Sequence, residues 1–138
     1  MESARGRRVP RFLPAMESDT WLSGLMKEVL MQDASDQELL RDPQNLQDLI
    51  RVQAGSVVSR TLLEKATGTV TLFAFDRGEG LREHSTPHDA LVQILEGTAT
   101  ITVGGTAHEV GYGELLLLPA NIPHALTAPE PFKMLLTM

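Results

Sequence analysis

Cysteine is absent from this 138-residue chain. That excludes disulfides, thiolate zinc sites and a cysteine nucleophile, and leaves imidazole, carboxylate and water as the donors for any metal. Aromatic residues are scarce, at one Trp, one Tyr and four Phe, so a core must rest chiefly on Leu, Val and Ile. Long apolar runs are also missing. The longest, such as "LLLLP" from residue 115, fall far short of the roughly 20 residues that cross a bilayer. Positive charge is in deficit, and the net charge of −6 argues against nucleic acid, whose phosphates need a basic face. The glycine cluster "RGEGL" lacks the Lys-Ser/Thr ending and the following helix of a phosphate loop. No serine stands in a recognisable nucleophile elbow.

A hydrophobic share of 42% and a mean hydropathy of −0.07 describe an ordinary globular chain, and the length suits one domain with a short appendage. The charge is uneven. Within residues 1–14, Arg5, Arg7, Arg8 and Arg11 stand against Glu2, a net +3 that leaves −9 for the rest. Residues 1–18 are expected to be a disordered leader, loosely like an organelle transit sequence in composition, with the cytoplasm as the default location. Residues 19–45 are expected to form a helical extension. In "DTWLSGLMKEVLMQ" (19–32), Trp21, Leu22, Leu25, Met26, Val29 and Leu30 make one stripe at helical spacing. Ser35 and Glu38 then form a capping-box pattern for a second short helix, which Pro43 should stop. Both helices are expected to lie against the main domain or a partner subunit.

From about residue 50 the period changes to two. "SVVSRTLLE", "TVTLFAFD", "DALVQILEG", "TATITVGG", "TAHEV", "GELLLLP", "PHALTA" and "PFKMLLTM" are eight short β-candidates separated by Gly- and Pro-rich turns. Gly104-Gly105 between two alternating runs predicts a tight hairpin, since a primed turn needs positive φ at both central positions. Many short strands without intervening helices predict an antiparallel sandwich or barrel over residues 46–138, its inward faces lining a pocket.

Two glycine-led motifs in this region resemble those of the cupins, small jelly-roll barrels. Gly78, His84 and Gly97 fall at the spacing of the first motif, G-x5-H-x-H-x3-4-E-x6-G, and Gly113, Pro119 and His124 at that of the second, G-x5-P-x-G-x2-H-x3-N. The resemblance implies an all-β antiparallel jelly-roll barrel with a short helical N-terminal extension. It also implies a divalent metal (Zn, Fe, Ni, Cu or Mn) held by the histidines and the glutamate. Here the second and third ligand positions are Thr86 and Ala90, Asn121 replaces a glycine, and Ala128 stands at the asparagine position. Two of the four implied ligands remain. Residues 84, 86, 88 and 90 share a strand parity, so His88 is a replacement candidate, and the metal-ligand set becomes His84, His88 and His124. In an extended strand His84 and His88 lie about 13 Å apart, so a bend at Thr86-Pro87 is required. Gln93 should face away by the same parity. His108 is expected to be exposed, and Asp89 is a candidate acceptor for an imidazole N–H. Phe73, Phe75, Leu95, Leu117 and Met134 are read as barrel filling, and Glu96 as a turn residue.

Two functional readings stay open. In the first, the barrel binds a divalent metal weakly, a small polar ligand, or both, and does no chemistry of its own. In the second, it is a metal-dependent enzyme of oxygenase, isomerase or lyase type using the His-rich site. The resemblance further implies a homodimer, while the net charge and the short apolar runs lead us to expect neither nucleic acid nor membrane as a partner.

Overall fold

The computed structural model describes residues 7–9 and 33–138. The apolar stripe of residues 19–32 lies outside the described residues. The elements are β1 (Arg7–Val9), α1 (Asp33–Leu39), a 3-10 turn (Leu46–Leu49), β2 (Val57–Lys65), β3 (Gly68–Phe75), β4 (Gly80–His84), β5 (Ala90–Glu96), β6 (Thr98–Val103), β7 (Thr106–Gly111), β8 (Leu115–Leu118), β9 (His124–Thr127) and β10 (Phe132–Thr137). They form a six-stranded sheet in the order β1-β2-β3-β10-β5-β8 and a four-stranded sheet in the order β4-β9-β6-β7. Every pairing is antiparallel.

All eight β-candidate runs became strands. The Gly104-Gly105 hairpin formed as expected, with φ of 56° and 87° and Val103 paired to Thr106. Two strands were not anticipated. One is β1, within the leader expected to be disordered, where Arg7, Arg8 and Val9 pair with Ser59, Val58 and Val57. The other is β4, "GLREH", whose mixed polarity hides its strand character.

Between the sheets lies the main core. With few aromatics to spend, the chain concentrates three there: Phe75 and Phe132 stack at 4.5 Å, with Phe73 tilted against Phe75 at 6.1 Å. β3 is buried on both faces, which is why "TVTLFAFD" reads as an almost unbroken apolar run. Phe73 and Phe75 point between the sheets, while Leu72 and Ala74 join a second cluster on the outer face with Leu49, Ile50, Val58 and Leu62.

That outer face is covered by residues 33–50, and polar contacts fix the cover. Arg60 of β2, only 4% exposed, donates from Nε (3.2 Å) and Nη2 (2.7 Å) to Asp36 Oδ1 on α1, and from Nη1 to the Leu49 carbonyl at 2.8 Å. Further along, Gln47 Nε2 donates to the Leu95 carbonyl and Lys133 Nζ to the Gln47 carbonyl, at 2.5 and 2.7 Å. The described residues 33–49 therefore pack on the main domain. Ser35 lies inside α1 rather than at its cap, and the helix ends before Pro43. Among the described residues, no helix is long and apolar enough to cross a membrane.

Candidate functional site

β4 and β9 run side by side at one end of the four-stranded sheet. Leu81 pairs with Leu126 and His84 with His124, so β4 advances three residues while β9 advances two. That extra residue is a β-bulge, and it has a consequence for the site. Residues three apart on a regular strand face opposite sides. The bulge brings both Leu81 and His84 to the same cavity.

His124 reaches the cavity through the loop before β9. Asn121 there has φ of 65°, a left-handed conformation that asparagine tolerates better than most residues, and its N–H donates to the Thr86 carbonyl at 2.6 Å. Ala120 N–H donates to Asp89 Oδ1 at 2.8 Å. These two bonds tie the segment after His84 to the segment before His124. Thr86 closes its own turn: its hydroxyl donates to the His88 carbonyl (2.9 Å) and accepts from the His88 N–H (3.2 Å).

The outcome is an imidazole pair. The rings of His84 and His124 are 4.4 Å apart between centroids, inclined at 67°. Nδ1 of His84 meets the Arg82 carbonyl at 2.8 Å, and Nδ1 of His124 meets the Ile122 carbonyl at 3.2 Å. A carbonyl only accepts, so both Nδ1 atoms carry the proton. In the neutral ring Nε2 then holds the lone pair. His124 is 6% exposed. Burial holds its pKa below the ordinary imidazole value, and the charge of His84 adds to this, while the Ile122 carbonyl opposes it by favouring the cation.

The two rings and the buried Thr86 are the polar part of a cavity whose other walls are apolar, with Phe73, Leu81, Leu118, Leu126, Met134 and Met138 among them. No carboxylate lines it. Ala90 occupies the wall where the cupin pattern implies a glutamate. Among the described residues no group of three or more His, Asp or Glu is arranged to hold a metal. Thr86 spends its hydroxyl on the backbone of His88. Two imidazoles fall short of the three or four protein ligands of a resident divalent metal, so the residues present do not fit that group.

Of the three ligand candidates, His84 and His124 are brought together, whereas His88 is exposed and is not among the cavity walls. The chain bends after His84, as a shared site would have required, but the bend buries Thr86. Gln93 is exposed, as its parity indicated, and His108 is half-buried rather than exposed. Asp89 serves the Ala120 N–H, and the imidazole Nδ1 protons go to backbone carbonyls instead. Met134 does fill the barrel, as expected, but it also forms part of the histidine cavity. The alternation of Met134 and Leu136 along β10, continued by Met138 just beyond its end, was the available signal for that placement.

A protein from Desulfitobacterium hafniense described as a cupin superfamily member matches this structure with a TM-score of 0.68 at 31% identity, over 70% of this chain and 89% of that one. The cupin-domain family model matches residues 71–138. The chain is a cupin. A conserved Streptococcus pyogenes protein of unknown function is similar at 38% identity, with a TM-score of 0.67 over 70% of this cupin and 84% of that chain. A cupin 2 conserved barrel domain protein from Leptotrichia buccalis is 42% identical over 69% of this cupin, which spans only 46% of that longer chain (TM-score 0.67). No curated protein matches. The antiparallel barrel read from the strand pattern is thus the jelly roll that the motif resemblance implied, and these relatives bring no reaction with them.

Proposed function

We propose that this cupin is a binding barrel that takes a small polar molecule, with any divalent metal held only weakly, and that it does no chemistry of its own. One observation carries the reading: the imidazoles of His84 and His124 lie 4.4 Å apart in a cavity with otherwise apolar walls. Two lone pairs side by side in low dielectric favour a ligand that offers a hydrogen-bond donor or an acidic proton there, its remaining surface covered by leucine and methionine. A divalent ion on the same pair would depend on water for its other positions. The enzyme alternative needs a further strong ligand from the protein, and the exposed His88 does not supply it.

A cytoplasmic homodimer belongs to the same proposal. Leu91, Leu115 and Leu117 are 40%, 60% and 49% exposed on the outer face of β5 and β8 at a sheet edge, apolar surface that association would cover.

The test is histidine-observed NMR on the full chain, titrated separately with acetamide, whose N–H groups donate, and with Zn(II). The ring signals of His84 and His124 should move together while those of His88 and His108 stay in place. Movement of His88 in step with His84, or no response of the pair to either probe, would overturn the reading.

A further inference from the structure

We propose that two copies of this cupin join edge to edge through β8, in a two-fold antiparallel pairing that sets Leu115 opposite the partner's Leu117 and Leu116 on the axis. The inference rests on the dimer of the reading above and names the contact that makes it. It starts from the four strands that end the two sheets, β1 and β8 in the larger and β4 and β7 in the smaller. An open strand edge is a template for another strand, and proteins that stay apart blunt it with charge or proline. β1 carries Arg7 and Arg8, β4 carries Arg82 and Glu83, and β7 carries His108 and Glu109. β8 reads Leu115-Leu116-Leu117-Leu118 and carries no charge.

The backbone of β8 sets the register. Ile94 of β5 exchanges hydrogen bonds with the turn before β8, its N–H donating to the Glu114 carbonyl (3.1 Å) and its carbonyl accepting from the Gly113 N–H (2.8 Å). In an antiparallel ladder such reciprocal pairs recur at every second residue. Leu116 and Leu118, opposite Val92 and Ala90, therefore turn their N–H and C=O groups to β5. Leu115 and Leu117 turn theirs outward, and no strand among the described residues pairs with that edge. With Leu116 on the axis, Leu115 and the partner's Leu117 exchange two bonds, and symmetry adds two more. Moving the axis to Leu117 would set Pro119, which has no N–H, opposite Leu115. Moving it to Leu115 would call on Gly113, whose N–H is already engaged by Ile94. The side chains agree with the central register. Leu115 and Leu117 are exposed on the outer face, and each would lie across from its counterpart in an apolar cross-strand pair. A strand that is apolar and uncharged along its whole length finds its complement in a second copy of itself.

The absence of cysteine gives the experiment a clean background. Three single-cysteine variants of the full chain, Leu115→Cys, Leu116→Cys and Leu117→Cys, are oxidised, and covalent dimer is read on non-reducing gels. On the axis, position 116 and its counterpart form a non-hydrogen-bonded pair about 4.5 Å apart between Cα atoms, a separation that a disulfide spans. Positions 115 and 117 lie opposite each other and not opposite themselves. Leu116→Cys should therefore cross-link at least about tenfold faster than the other two. The unsubstituted chain gives a second readout that decides even where a variant fails to fold. Its Leu115 and Leu117 amides should exchange with deuterium at least about tenfold more slowly in the dimer than at dilutions that give monomer. A folded dimer in which Leu116→Cys cross-links no faster than the other two, or in which these amides exchange as fast as in the monomer, would overturn the edge pairing and leave the dimer standing on another contact. A chain that is monomeric at every concentration would overturn both.

Discussion

Replacing Asp36 by alanine should destabilise the protein by about 3–5 kcal/mol, the range for stripping one partner from a buried ion pair. The figure follows from the geometry. Asp36 and Arg60 are 2% and 4% exposed, and Asp36 Oδ1 accepts from both Nε and Nη2 of the guanidinium. In the variant Arg60 keeps its bond to the Leu49 carbonyl but loses its buried counter-charge among Val58, Leu62 and Leu72. An exposed pair, by contrast, contributes at most about 1 kcal/mol. The partner experiment is Asp36→Leu with Arg60→Met. An apolar pair of similar bulk is commonly neutral or better, so the double variant should recover most of the loss. Urea unfolding of the three proteins measures this as midpoint shifts at constant slope. A loss below about 1 kcal/mol for Asp36→Ala would refute the claim that this pair clamps residues 33–50 to the barrel. The same reasoning bears on a chain shortened to begin at Asn45. It would take the Asp36 carboxylate from Arg60 as well as remove α1, and should be less stable than the intact protein.

Folding lowers the pKa of His124, so the unfolded state takes up its proton first as the pH falls. The stability this group contributes is whole above its ordinary value near 6.5 and is lost as the pH drops through that value towards the lower folded one. Urea midpoints between about pH 7.5 and pH 5 should therefore fall more steeply for the wild type than for His124→Gln, and equal slopes would contradict the burial argument. At Asn121, with φ of 65°, substitution by valine should cost about 1–2 kcal/mol while glycine stays near neutral; thermal or urea melts separate the two. Thr86→Val removes both turn bonds to His88 and should cost about 1–3 kcal/mol, seen in the same melts. Leu115→Lys with Leu117→Lys should convert a dimer to a monomer by light scattering after size exclusion, and an unchanged mass would remove that face from the interface.

Alternation, short apolar runs and turn chemistry made eight strands legible, each with a glycine or proline near its boundary. They could not reveal β4. "GLREH" puts Arg82 and Glu83 at the bulge, where the period of two breaks, and the strand exists because β9 pairs with it. The convergence of His84 and His124 was legible only through the two-motif spacing, since 40 residues separate them and no local pattern links the two. Parity failed for His88 because strand geometry ends at His84. Beyond it Thr86 folds the backbone into a turn, and alternation no longer applies. Arg60 belongs to the alternating run "SVVSRTLLE", where its parity is shared by Val58, Leu62 and Glu64 and does not mark it as buried. It is buried because Asp36, 24 residues upstream, packs over it. That is a tertiary contact, which propensity does not encode.

The account stands on two imidazoles that turn Nδ1 to backbone carbonyls and share one cavity through Nε2. Long-range proton–nitrogen NMR of the ¹⁵N-histidine-labelled protein near pH 7.5 reads this directly, before any ligand is added. The prediction is that His84 and His124 both carry a proton on Nδ1, with cross-relaxation between their ring protons. An unprotonated Nδ1 on either ring, or two rings with no contact between them, would contradict it.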